Sequence, residues 1–112
     1  MADVPITPVV AAHGGIAAVP QVMAAADNYI VRNNGRVLLF FRKTGAGAAT
    51  ITVVTPKLVS GLAVAELTFN VPATTGEVWA GPFNPDTFND PSGDLDVSTS
   101  EDTGITMDSV QI

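Results

Sequence analysis

The sequence predicts an all-β fold: an antiparallel β-sandwich of about seven strands, Ig-like or jelly-roll-like, preceded by an extended N-terminal arm. Three observations carry that expectation. The chain is apolar and lean in charge, with 46% hydrophobic and 14% charged residues, and Val, Thr, Gly and Pro recur throughout, a composition that suits pleated strands and tight turns. From residue 28 onward, strand-sized apolar runs are cut at short intervals by Gly, Pro, Asn and Asp, the punctuation of an all-β domain. No helical pattern is long enough to cross over between parallel strands. A chain of 112 residues is one domain's length, burying roughly 65% of its unfolded surface.

Residues 1–26 read as the arm and residues 27–112 as the body. Pro5, Pro8 and Pro20 remove backbone donors and disfavour helix. With so little charge to solvate it, the arm must lie on something, either a neighbour or the domain's own flank. Pro5, Ile6, Val9 and Val10 are its expected partner contacts, and removal of residues 1–26 is expected to leave a folded body that assembles less well. Residues 20–26 are expected to make one helical turn, with Pro20 at its start.

In the body, Tyr29 to Arg32 reads as a strand ending at an Asn33-Asn34-Gly35 hairpin turn. Residues 36–43, with Val37, Leu38, Leu39, Phe40 and Phe41 in succession, read as a central strand buried on both faces. Gly45-Ala46-Gly47 makes a second hairpin turn. Residues 49–55 alternate Ile51 and Val53 with Thr50 and Thr52, as a strand with one wet face does. After Ser60-Gly61, residues 63–71 put Leu67, Phe69 and Val71 on one side. Residues 77–81 carry Trp79, the only tryptophan, and stop at Pro82. Residues 83–93 read as a long loop anchored by Phe88, and Leu95 and Val97 mark a further strand. In the last segment, Ile105 and Met107 share one parity while Val110 and Ile112 share the other. If all four are core, a β-bulge near Asp108-Ser109 must reset the register.

Charge is divided along the chain. All five basic residues, Arg32, Arg36, Arg42, Lys43 and Lys57, precede residue 58, giving +3 before that point and −9 after it. Preserved in space, the division would let copies attract head to tail; interspersed, it would be an ordinary solvated surface. Five cations scattered among apolar residues form no patch for nucleic acid. There is no Cys, so neither disulfides nor thiolate metal sites hold the fold. The first 26 residues lack the basic start and unbroken apolar run of a secretory signal. They read as mature sequence made in the cytoplasm. No run reaches the roughly 18–20 apolar residues needed to span a bilayer as a helix.

Chemistry is sparse. His13, the sole histidine, has no nucleophile or carboxylate near it in sequence, so no acid–base or triad pattern forms around it. Asp90, Asp94 and Asp96 alternate around Gly93 and could offer oxygen ligands to Ca²⁺. Glu101 falls at the twelfth place counted from Asp90, but Gly is at the fourth rather than the sixth, against the EF-hand pattern. An acidic turn is the simpler reading. The Gly45–Gly47 stretch lacks the Lys and helix of a phosphate loop. A sugar platform would have to come from Trp79, Tyr29 and Phe88. The expectation is a non-enzyme without cofactor, metal or small-molecule substrate.

Several of these segments together resemble short proteins encoded among the head genes of tailed bacteriophages. The likeness spans Asn33 to Ile112. It rests on the Asn33-Asn34-Gly35-Arg36 turn into an apolar strand, Thr55-Pro56, Gly61-Leu62-Ala63-Val64, Val71-Pro72-Ala73, Gly81-Pro82-Phe83 and a short closing strand. The resemblance implies a virion structural component made in the host cytoplasm: a capsid decoration, or cement, protein on the capsid surface. Its implied partners are the major capsid protein and copies of itself, as trimers or as monomers repeated on the lattice. A tail or head–tail joining subunit is the alternative within the virion, and a small glycan- or calcium-binding module the alternative outside it.

Overall fold

The computed structural model describes residues 3–112; of the expected arm, Met1 and Ala2 lie outside the described residues. Twelve strands and one helical turn follow in order: β1 (Asp3–Ile6), β2 (Val9–Val10), β3 (Gln21–Val22), β4 (Asn28–Arg32), β5 (Val37–Lys43), β6 (Ala49–Val53), β7 (Leu58–Val59), β8 (Leu62–Ala63), β9 (Leu67–Val71), β10 (Glu77–Ala80), α1 (Pro85–Phe88), β11 (Asp94–Thr99) and β12 (Ile105–Gln111). The fold is all-β. One sheet runs β1-β4-β11-β6-β9, a second runs β10-β5-β12-β2 with β3 also on β12, and β7 and β8 pair alone. The strands number twelve rather than about seven, and both larger sheets are open and mixed rather than purely antiparallel, because β1 and β2 join parallel to β4 and β12. The seven runs expected from Tyr29 onward are the strands β4, β5, β6, β9, β10, β11 and β12, of four to seven residues each. The five extra strands, four of them only two residues long, come from the arm and from the β7–β8 hairpin.

Alternation within each strand builds one core from both sheets. Tyr29, Val31, Ile51, Val53, Leu95 and Val97 point inward from the first sheet, and Val37, Leu39, Phe41, Ile105 and Met107 from the second. Phe41 meets Phe69 edge-on across the core at 5.6 Å, a ring geometry worth about 0.5–1.5 kcal/mol beyond the area it buries. Lys43 shares the inward parity of β5 and is buried, its Nζ donating to the Thr44 carbonyl at 2.8 Å.

The turns read as hairpins are corners between sheets. Asn33-Asn34-Gly35 carries the chain from β4 in the first sheet to β5 in the second, and Gly45-Ala46-Gly47 carries it back to β6. Local chemistry is the same either way, since both kinds of turn use glycine at positive φ, here 87° at Gly35 and 78° at Gly45. Asn33 and Asn34 are not left-handed; they accept hydrogen bonds from the Gly35 and Arg36 amides two residues on.

Three local expectations are corrected. Residues 20–26 make no helical turn: Val22 and Gln21 pair with Thr106 and Met107, because the β12 edge supplies backbone partners that a turn too short to nucleate lacks. Residues 105–111 carry no bulge, since β12 pairs with β5 without interruption from Ile105↔Lys43 to Gln111↔Val37. Ile105, Met107 and Ser109 face in; Val110 faces out, and Ile112 is exposed. The anchor of the 83–93 loop is Phe83, fully buried, with half-buried Phe88 leaning on it edge-to-face at 5.5 Å. Within that loop Asn84 caps the single turn of α1.

The arm is laced onto the body. β1 lengthens the first sheet, β2 and β3 the second, and Met23 is completely buried in the core. The Tyr29 hydroxyl accepts the Ala24 amide at 2.7 Å. Pro5 sits on the outer edge strand, where a missing donor discourages further strand addition.

Candidate docking surface

The outer face of the second sheet is where apolar residues fail to find cover. Trp79 and Phe40 are register partners on β10 and β5, their rings 4.4 Å apart. Phe40 is buried, yet Trp79 is 63% exposed. The Arg42 guanidinium lies 5.3 Å from the Phe40 ring centre, a cation–π approach. On the other side of β5, Asp108 and Val110 pair with Phe40 and Leu38. Arm residues 16–19 run over this face and leave a groove of about 250 Å³ between themselves, Phe40, Trp79, Asp108 and Val110. Asp108 is part of the groove's lining, and its Oδ1 is buried without any hydrogen-bond partner.

The same arm segment is loosely seated. Two more hollows, about 290 and 260 Å³, flank it around Pro20, and Val10, Val19 and Val22 are each at least 60% exposed. Of the expected contact residues, Pro5, Ile6 and Val9 come together along one of these hollows. Val9 also lines the main groove. Ile6 is half-buried against the core, and Val10 points to solvent.

Sequence reading singled out Trp79 for a sugar platform but could not place it on this face, since strand alternation alone does not distinguish an outward residue from an inward one until the partner sheet is known. It missed the β7–β8 hairpin, which closes through Ser60 and Gly61 at φ 52° and 78°, the two positive values of a type I′ turn. Its strands are too short to reach the core, so Leu58, Val59 and Leu62 stand 60%, 55% and 72% exposed. The available signal was three large apolar residues closely flanking a two-residue turn.

The acidic residues are dispersed into structural roles. Asp90 Oδ1 accepts the Ser92 and Asp94 amides, and Asp94 lies 3.9 Å from Arg32. Asp96 stands on the outer face of the first sheet, where burial, then the nearby carboxylates of Asp3, Asp90 and Glu66, raise its pKa above the ordinary 3.8. Among the described residues no three His, Cys, Asp or Glu side chains gather into a metal site. Tyr29 is buried and Phe88 half-buried, so Trp79 is the one exposed ring of the three considered for a sugar platform. His13 lies in an exposed turn of the arm. No helix is long and apolar enough to cross a membrane among the described residues.

Together these features define an all-β domain carrying an uncovered apolar face and a projecting apolar hairpin. Comparison with family models, curated proteins and solved structures finds no match to this chain.

Proposed function

We propose that this chain is a non-enzymatic virion structural protein that binds the outside of a bacteriophage capsid and stabilises the shell as a decoration protein. The observation that carries the reading is the apolar outer face of the second sheet, where exposed Val19 and Trp79 line a groove on a β scaffold. Exposed apolar surface on this scale marks an interaction site. The resemblance of residues 33–112 to phage head proteins names the partner class: the major capsid protein, with copies of this chain beside it.

The mechanism is adhesion. The body acts as an antiparallel sandwich of about seven principal strands, Ig-like or jelly-roll-like in character, with short arm strands added at the sheet edges. Each contact with the shell is weak, and repetition over a lattice raises the total affinity. Quantitative mass spectrometry of purified particles tests this. Copy numbers in the hundreds, comparable with the major capsid protein, are expected. About a dozen copies would assign the chain to the head–tail joint instead, and absence from the particle would overturn the virion reading.

A further inference from the structure

We propose that two copies of this chain bind each other heterologously, the β7–β8 hairpin of one entering the groove beside Trp79 of the next. The groove is apolar along Phe40, Val110 and arm residues 16–19, and its lining also holds one cation, Arg42, and one carboxylate, Asp108, whose Oδ1 is buried and unpartnered. An unsatisfied buried oxygen costs about 1–3 kcal/mol, recovered when a donor reaches it. Arg42 does not supply that donor, being held over the Phe40 ring. The hairpin offers the complementary set. Leu58, Val59 and Leu62 form an exposed apolar tip, and Lys57, exposed and without an ion-pair or hydrogen-bond partner among the described residues, immediately precedes it. Apolar tip and adjacent cation thus match apolar groove and buried carboxylate.

The hairpin leaves the end of β6 in the first sheet, whereas the groove lies on the outer face of the second. The contact is therefore between molecules and joins two different surfaces, so each copy keeps one free hairpin and one free groove, and copies add into rings or rows. It is a property of the chain in solution and does not rest on the virion reading.

Titrating unlabelled full chain into isotopically labelled chain, with NMR detection, tests the contact down to dissociation constants of about 1 mM. Concentration-dependent shifts are expected both in residues 58–63 and at the Trp79 indole. Leu62→Asp and Lys57→Asp should each weaken association by at least about tenfold. Asp108→Lys should do the same alone, and mixing it with Lys57→Asp should restore association, because each hairpin then meets a groove of opposite charge. Should Asp108→Lys fail to fold, the two hairpin substitutions, on exposed residues, carry the test. A chain that shows no shifts up to about 1 mM, shifts confined to one of the two surfaces, or association indifferent to Leu62→Asp would overturn the proposal.

Discussion

Asn33 is buried and bonded on several sides. Its Nδ2 donates to the Phe83 carbonyl at 3.1 Å and to Asn89 Oδ1 at 2.6 Å, its Oδ1 accepts the Gly35 amide, and its own carbonyl receives Asn89 Nδ2 at 2.9 Å. One side chain thereby ties the β4–β5 corner to the 83–93 loop. Asn33→Ala leaves those buried partners unpaired and should cost about 2–3 kcal/mol, read as a lower urea midpoint. Asp96 makes a prediction of opposite sign. Its folded-state pKa lies above the unfolded one, so the folded state holds the proton more tightly and stability falls as pH rises through the interval between the two values. The penalty is full above the raised value and absent well below 3.8. Asp96→Asn should therefore raise the thermal midpoint at pH 7 and leave it unchanged below about pH 3.

Among elements, the β7–β8 hairpin and the arm have opposite relations to the core. No residue of the hairpin is buried, so Leu58→Ser and Leu62→Ser should each change unfolding free energy by less than about 0.5 kcal/mol. A larger loss in a denaturant melt would mean that the hairpin packs on its own body. The arm, in contrast, donates Met23 to the core and strands to both sheets. Met23→Ala should cost about 2–5 kcal/mol. Removal of residues 1–26 also strips β1, β2 and β3, a loss comparable with the whole 5–15 kcal/mol of a typical domain. The truncated chain should lose its near-ultraviolet circular dichroism and cooperative melt, contrary to the expectation from sequence that the body stands alone.

At the scale of the molecule, the division of charge along the chain does not become two poles. The basic strands are interleaved with the acidic ones: Arg32 on β4 pairs with Asp94 on β11, and Arg42 on β5 with Glu77 on β10. The Arg32–Asp94 pair is surface-exposed at the arginine end and so contributes little, about 0–1 kcal/mol. Head-to-tail attraction between oppositely charged halves consequently gives way to a narrower complementarity, Lys57 against the buried oxygen of Asp108. Apolar surface, rather than net charge, distinguishes the face beside Trp79.

What the sequence by itself determined is the local grammar. The seven strands β4, β5, β6 and β9 to β12 fall where alternation and turn residues put them, within a few residues, because side-chain period and positive-φ glycines are properties of adjacent residues. Phe41, Ile51, Leu95 and Met107 were legible as core for the same reason. The tertiary structure alone decided which sheet each strand joined, that the Asn33 and Gly45 turns were corners, and that Val110 could face outward without a bulge. It also decided that Trp79 and the hairpin tip were left uncovered. Each of these depends on partners far away in the chain: hydrogen bonds along a sheet edge, and arm residues 16–19 lying against Val110 on the outer face.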